Sequence, residues 1–146
     1  MKVRLRGPLS RPAGAEGCLD VASLGSDAGE QNPNQLIRTL KRALGDADKC
    51  LEKKFHAQQD VNQLVKARAW VVDQLILYAW RQLIPATENV SLVAVGGFGR
   101  GELHPHSDVD LLILLAESPP TDALRTAIEA FITLLWDAGF YLGHSV

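Results

Sequence analysis

Apolar residues recur at helical spacing in three segments of the chain, and a capping residue precedes each segment. Asn32 is placed to cap the first helix, with Pro33 in its first turn and Gln35 positioned to complete a capping box. Asp60 and Thr121 stand at the same place before the other two segments. We therefore predict helices over residues 33–55, 61–84 and 122–138, the first weakened locally by a glycine at position 45.

Three shorter apolar runs predict strands. Val90 to Val95 is rich in β-branched residues, Val109 to Leu115 is mostly apolar, and Phe140 to Val146 opens a third run. The unbroken apolar stretch from Leu111 to Leu115 predicts a central strand that is covered on both faces. The order of elements predicts an α/β (α+β) fold in which a small mixed sheet is backed by helices.

The first 31 residues lack an apolar period and are dominated by Gly, Pro, Ser and Ala with scattered charges. We therefore expect a flexible N-terminal arm over residues 1–31. Residues 32–146 then form one domain, because a chain of 146 residues with 47% hydrophobic content suffices for one core. The chain stops inside the third predicted strand, so we expect the domain to be incomplete at its C-terminus.

Charge and cysteine content narrow the class of protein. A formal charge of -2 gives no general attraction for nucleic acid or for anionic membranes, so neither is expected as a partner. Cys18 and Cys50 lack the paired spacing of a zinc site, and we expect free thiols in a reducing compartment. The basic N-terminus is not followed by the apolar run of a signal peptide, and charges interrupt the segment 61–84. The sequence thus predicts a cytoplasmic protein.

The residues that can carry chemistry are concentrated between the first two predicted strands, in the stretch GGFGRGELHPHSDVD. Gly96 and Gly97 follow the first strand, where the missing Cβ atoms would let backbone N–H groups approach a phosphate. A short helix beginning near Phe98 would aim further N–H groups at the same anion. This arrangement suits a triphosphate, and the absence of a Gly-x-x-x-x-Gly-Lys-Ser/Thr motif excludes a P-loop.

Asp108 and Asp110 stand two residues apart at the entry to the second strand, so both carboxylates are expected on the same face. Mg²⁺ prefers oxygen ligands and is commonly held by one or two carboxylates together with substrate phosphates. Two such ions, roughly 3.5 to 4 Å apart, would stabilise both the attacking and the leaving oxygen in a displacement at phosphorus. The glycines alone suit a tight turn and the aspartates alone a solvated strand start, but their combined order indicates a metal-dependent nucleotide site.

This segment resembles the signature of the polymerase-β-like nucleotidyltransferase superfamily. Its longer form, Gly-Gly-Phe-Gly-Arg-Gly-Glu-Leu with Ser-Asp-Val-Asp-Leu-Leu-Ile-Leu, is similar to the N-terminal domain of bacterial PII uridylyltransferase/uridylyl-removing enzymes, as is the ending from Trp136 to Val146. The resemblance covers about Leu36 to Val146. It implies the fold of that superfamily and a multifunctional enzyme of nitrogen regulation. Its implied reaction transfers UMP from UTP to a tyrosine of the PII signal protein, with pyrophosphate leaving.

The resemblance also implies roles for the motif residues. Gly96 and Gly97 would hold the triphosphate, and Asp108 and Asp110 would be the catalytic ligands of Mg²⁺, with two ions expected and Mn²⁺ as an alternative. Base choice is not contained in these residues, so an adenylyltransferase of the same superfamily is an alternative hypothesis.

Four neighbouring side chains have two interpretations each. Arg100 is our candidate for neutralising the leaving pyrophosphate, because a guanidinium matches phosphate oxygens, but it could equally form a salt bridge with Glu102. Ser107 could bond a phosphate or cap the turn. His104 and His106 could bind metal, but their places beside a proline favour turn residues.

One departure from the superfamily concerns its third carboxylate, which normally stands on a later strand beside the aspartate pair. After Asp110 the available acids are Glu117, Asp122, Glu129 and Asp137, all on a predicted loop or helix. This departure supports a further hypothesis, a noncatalytic regulatory module that binds nucleotide. It also leads us to expect that metal-dependent UTP binding persists in this chain more readily than turnover.

Overall fold

The computed structural model describes residues 3–5, 9–26, 32–85, 88–116 and 119–145. The helices of this part of the chain are α1 (Val21–Ser26), α2 (Pro33–His56), α3 (Val61–Leu83), α4 (Gly96–Gly99) and α5 (Asp122–Asp137), with a 3-10 turn at Ala13–Ala15. Its strands are β1 (Val3–Leu5), β2 (Val90–Val95), β3 (Val109–Leu115) and β4 (Leu142–Ser145). The three long helices and the three strands predicted from the apolar pattern are all present.

The helix starts confirm the predicted caps. Asn32 accepts a hydrogen bond from the Gln35 N–H at 2.9 Å, and the Gln35 side chain accepts one from the Asn32 N–H at 3.2 Å. Asp60 and Thr121 likewise accept hydrogen bonds from N–H groups in the first turns of α3 and α5. Each cap satisfies an N–H group that the helix itself cannot pair, which fixes where the helix begins.

The four strands form one mixed sheet in the order β1-β2-β3-β4. β2 is antiparallel to β1 and β3, whereas β4 runs parallel to β3. Within this register Ala94 of β2 faces Leu111 of β3, and Asp110 of β3 faces Gly143 of β4. The predicted small mixed sheet backed by helices is therefore confirmed.

Only one face of β3 is fully covered by the helices. Val109, Leu111 and Ile113 are buried, whereas Leu112 is half-buried and the Leu114 side chain is 45% exposed. The prediction of a strand covered on both faces is therefore wrong for the described residues. Successive strand side chains point to opposite faces, so an unbroken apolar run does not prove two covers. We call the less buried side, which carries residues 110, 112 and 114, the open face of the sheet.

The core lies between the covered face of the sheet and the long helices. Leu75 and Ile76 of α3 and Phe131 of α5 are buried together with Ile113 of β3. The ring of Trp80 packs edge-on against Phe131, with 5.1 Å between ring centroids. No helix within the described ranges is long and apolar enough to cross a membrane.

The segment from residue 9 to residue 26 is folded onto the helices. Ala15 and Cys18 are buried, and a Cβ atom on Gly14 would lie 2.8 Å from the Gln63 carbonyl oxygen. The preceding strand β1 pairs with β2 at the edge of the sheet. The predicted flexible arm is therefore wrong for the described part of the first 31 residues, because this segment packs through small residues and pairing rather than through a periodic apolar face.

Two contacts tie this N-terminal segment to α2. Cys18 and Cys50 form a disulfide with 5.4 Å between their Cα atoms, so the prediction of free thiols is wrong. The Lys54 ammonium donates hydrogen bonds to the carbonyl oxygens of Gly14 at 2.9 Å and Glu16 at 2.6 Å. The cysteines meet because residues 9–26 fold back over α2, which spacing along the chain does not reveal.

Candidate active site

We call residues 96–101 the glycine turn. It begins directly after Val95, the last residue of β2. α4 follows β2 without a connecting residue, and Gly96 adopts φ +62°, a conformation that favours glycine. Phe98 is fully buried and anchors the turn in the core. The Arg100 N–H donates to the carbonyl oxygens of Gly96 at 3.2 Å and Gly97 at 3.1 Å. The predicted short helix is present and begins at Gly96, two residues earlier than expected, so the glycines are part of it.

Backbone hydrogen bonds hold the end of the turn in place. The Gly101 N–H donates to the Phe98 carbonyl at 3.0 Å, and the Glu102 N–H donates to the Gly97 carbonyl at 3.0 Å. The Leu103 N–H then donates to the Val65 carbonyl of α3 at 3.1 Å. The turn is thus fixed to β2 at one end and to α3 at the other.

The two aspartates enter the sheet at the start of β3. Asp108 immediately precedes the strand and is exposed, whereas Asp110 is its second residue and is half-buried. Val109 between them is buried, and its N–H donates to the Tyr141 carbonyl at 2.6 Å. Because strand side chains alternate and Val109 is buried against the helices, the Asp110 carboxylate is directed to the open face.

Asp110 lies directly beside the glycine turn. A Cβ atom built on Gly96 would be 2.8 Å from Asp110 Oδ2 and 3.7 Å from its Cγ. The antiparallel pairing of β2 with β3 brings the end of one strand to the start of the other, which explains this proximity. The structure therefore brings Asp110 to the glycine turn, and Asp108 precedes it by two residues along the chain.

Arg100 is also close to the turn. Its Nη2 atom lies 3.6 Å from the position of a Cβ atom on Gly97, and no ion pair joins Arg100 to Glu102 in the described part of the chain. Because the guanidinium lies against the glycine, positive charge is available where a polyphosphate would approach. The salt-bridge alternative for Arg100 therefore has no support in this geometry.

The remaining polar residues of the motif form an exposed turn. The Ser107 N–H donates to the His104 carbonyl at 3.1 Å, and His106 adopts φ +63°. The His106 ring lies 6.2 Å from the Tyr141 ring in an edge-on arrangement. Both histidines thus lie in or beside an exposed turn, as predicted. A cleft of about 480 Å³ lies behind this turn, between α2 and α3, and its lining includes neither Asp108 nor Asp110.

The acids considered for a third metal ligand lie elsewhere. Asp122, Glu129 and Asp137 are exposed on α5, which packs against α3 on the covered side of the sheet, and Glu117 lies outside the described residues. Within the described ranges, no group of three or more His, Cys, Asp or Glu side chains could hold a metal ion. Among the acids considered as metal ligands in the described part of the chain, Asp110 is the one that adjoins the glycine turn.

Sequence reasoning missed Gly143 at this site and Asp73 in the core. Gly143 of β4 faces Asp110, and a Cβ atom there would overlap Asp110 Oδ1. Asp73 of α3 is fully buried and accepts a hydrogen bond from the Leu9 N–H at 3.1 Å. A glycine inside a predicted strand signals a close approach, so Gly143 could have been noticed. Asp73 could not, because its partner comes from the distant N-terminal segment.

The chain is similar in sequence to known proteins over three quarters of its length. A family model described as a nucleotidyltransferase domain matches residues 74–137, which contain the glycine turn and both aspartates. Over 111 residues, 75% of this chain, the sequence is 50% identical to the bifunctional uridylyltransferase/uridylyl-removing enzyme of Pseudomonas putida strain KT2440. It is 46% identical over the same length to the enzymes of that name from Pseudomonas aeruginosa strain PAO1 and Pseudomonas fluorescens strain SBW25. The chain spans 12% of the length of each of these relatives. No solved structure matches it.

Proposed function

We propose, on the premise that this chain carries a nucleotidyltransferase domain, that it transfers UMP from UTP to a tyrosine hydroxyl of the PII nitrogen-signalling protein. Pyrophosphate is the second product. The observation that carries the proposal is the position of the Asp110 carboxylate, which occupies the space that a side chain on Gly96 would fill. The similarity to bifunctional uridylyltransferase/uridylyl-removing enzymes supports uridylyl transfer, and the PII acceptor and the UTP donor are part of our proposal.

The donor atoms at the site fit a hard divalent cation. In this proposal the carboxylates of Asp108, which is exposed, and Asp110, which is half-buried, hold the cations together. Oxygen ligands of this kind, together with water and substrate phosphates, are what Mg²⁺ prefers, and Mn²⁺ accepts the same set. When bound, two such ions would neutralise the phosphate charge and stabilise the attacking and leaving oxygens.

The glycine turn is proposed to bind the triphosphate. Gly96 and Gly97 carry no side chain to keep the phosphate oxygens away from the backbone N–H groups. The Arg100 guanidinium, which lies against Gly97, would pair with the phosphates that leave as pyrophosphate. Ser107 stands in the turn just before Asp108, where its hydroxyl can donate to a phosphate oxygen.

In the proposed reaction the tyrosine hydroxyl oxygen forms a bond to the α-phosphorus of UTP. The bond from that phosphorus to the bridging oxygen of the β-phosphate breaks, pyrophosphate leaves with that electron pair, and the hydroxyl proton is released to solvent. The contribution of this chain is to hold the triphosphate at Gly96 and Gly97 and to neutralise the leaving group with Arg100. Because positioning and charge dominate phosphoryl and nucleotidyl transfer, these residues would suffice to orient the donor.

We further propose that the reaction takes place in the cytoplasm and needs neither nucleic acid nor a membrane. The net charge of -2 supports the second part of this proposal, because it offers no general attraction to nucleic acid or to an anionic membrane. Because the cytoplasm keeps thiols reduced, this proposal predicts that the Cys18–Cys50 disulfide is open there. Alkylating free thiols in rapidly quenched cells would show which state the pair adopts there.

A second candidate function is binding of nucleotide without turnover. It is favoured by one observation, that no third acid joins Asp108 and Asp110 among the residues the structure describes. An adenylyltransferase activity is the alternative within the catalytic class, since no residue of the site has been assigned to the base.

Incubation with label transfer separates these functions. The chain is mixed with Mg²⁺, purified PII protein and either UTP or ATP labelled at the α-phosphate. The proposal predicts covalent label on a PII tyrosine from UTP and none from ATP, and loss of this label when the tyrosine is changed to phenylalanine. Transfer from ATP alone would replace UTP as donor, whereas saturable UTP binding without any transfer would support the noncatalytic candidate.

A further inference from the structure

The Asp110 carboxylate lies between two glycines that belong to the two sides of β3. On one side Gly96 follows β2, and a Cβ atom there would lie 2.8 Å from Asp110 Oδ2. On the other side Gly143 of β4 pairs with Asp110, and a Cβ atom there would overlap Asp110 Oδ1. Each carboxylate oxygen therefore occupies the space that a side chain would fill at a neighbouring glycine.

The two positions need glycine for different reasons. Gly96 has φ +62°, so its backbone conformation alone disfavours other residues. Gly143 lies within β4 and its φ is outside the left-handed region, so its backbone would accept any L-residue. At Gly143 the obstacle to a side chain is the Asp110 carboxylate itself, closer than the 3.0 Å below which real Cβ contacts essentially never occur.

We infer that Gly143 is a positioning residue, which sets the orientation of the Asp110 carboxylate for metal binding. This inference rests on the proposed function, in which Asp110 is a metal ligand. A methyl group at position 143 must displace either the carboxylate or the strand. The carboxylate is the end of a side chain that is half-exposed, whereas β4 is held by its register with β3. The carboxylate therefore moves first, and the fold is largely retained.

The direct test measures Mn²⁺ binding in the presence of UTP by the loss of the free-ion electron paramagnetic resonance signal beyond the loss that UTP causes without the protein. The samples are the 146-residue chain, Gly143→Ala, and Gly45→Ala as a matched control, because a Cβ atom on Gly45 meets nothing within 4 Å. We expect Gly143→Ala to bind Mn²⁺ about 10- to 100-fold more weakly, the usual loss when a residue that orients a metal ligand is changed. Gly45→Ala should bind Mn²⁺ as the unchanged chain does.

A second measurement keeps the inference testable if Gly143→Ala folds poorly. Thermal unfolding without metal is compared for Gly143→Ala in two backgrounds, one with Asp110 and one with Asp110→Ala. Removing the carboxylate removes the obstacle, so Gly143→Ala should lower Tm when Asp110 is present and leave it unchanged or raised in Asp110→Ala. An equal fall in both backgrounds would mean that glycine is needed at 143 for another reason, and would overturn the inference.

The outcomes separate this inference from the function on which it rests. If the unchanged chain binds Mn²⁺ and Gly143→Ala binds it equally well, the role of Gly143 is overturned and the proposed function stands. No Mn²⁺ binding by the unchanged chain would overturn the proposed metal site, and the role of Gly143 with it.

Discussion

Opening the Cys18–Cys50 disulfide should destabilise the domain by a large fraction of its total stability. The bridge joins residues separated by 32 positions and ties the N-terminal segment to α2. Closing a loop of that length in the unfolded chain corresponds to about 3.7 kcal/mol of chain entropy at 25 °C. Since domains of this size are usually stable by roughly 5–15 kcal/mol, a loss of that order is easily measured.

The measurement is urea unfolding of the unchanged chain with and without a reductant, followed by the fluorescence of its tryptophans. With an m-value of about 2 kcal/mol/M, the midpoint should fall by roughly 2 M on reduction. Cys50→Ser should unfold at the midpoint of the reduced chain and be insensitive to the reductant. If reduction leaves the urea midpoint unchanged while thiol titration shows two free cysteines, the disulfide does not stabilise the domain, which contradicts this prediction.

Two further predictions concern single side chains. Arg100→Ala should weaken Mg²⁺-dependent UTP binding by about tenfold or more in a calorimetric titration, because it removes a charge-assisted hydrogen bond to phosphate. The control Arg125→Ala, at an exposed position of α5, should leave the affinity unchanged. Equal affinities for Arg100→Ala and the unchanged chain would show that Arg100 does not belong to the site. Asp73→Ala should lower the free energy of unfolding by about 1–3 kcal/mol, because the Leu9 N–H loses its buried acceptor, whereas Asp46→Ala at an exposed position of α2 should cost far less in urea unfolding.

Local patterns in the sequence predict most of the secondary structure. The caps at Asn32, Asp60 and Thr121 mark where three helices begin because each cap depends on residues at most three positions away. The strands β2 and β3 follow from β-branched and apolar runs in the same way. The mixed sheet backed by helices then follows from the order of elements, and the family comparison agrees with that class of fold.

Features that depend on distant contacts could not be predicted in this way. The disulfide requires residues 9–26 to fold over α2, and the burial of Asp73 requires Leu9 to reach α3. The sequence does not reveal the open face of β3, because the residues on the buried and on the less buried side of the strand are mostly apolar alike. Gly143 gains its importance only from the parallel register of β4 with β3.

The candidate site can be predicted from the sequence only in part. Its glycine turn and aspartate pair are adjacent in sequence and carry recognisable chemistry, so both can be singled out before the fold is known. The proximity of Asp110 to Gly96 depends on the antiparallel pairing of β2 with β3, which brings the end of one strand to the start of the next. The position of Arg100 against Gly97 is likewise a property of the folded turn.

The central claim is that Asp108 and Asp110 hold divalent cations against a triphosphate bound at the glycine turn. Calorimetric titration of UTP into the chain, with Mg²⁺ and with a chelator, tests it most directly. We predict binding at least tenfold tighter with Mg²⁺ in the unchanged chain, and no Mg²⁺ dependence in Asp108→Ala, with Asp122→Ala on α5 as the control that keeps it. UTP binding of equal strength with and without Mg²⁺ in the unchanged chain would contradict the claim.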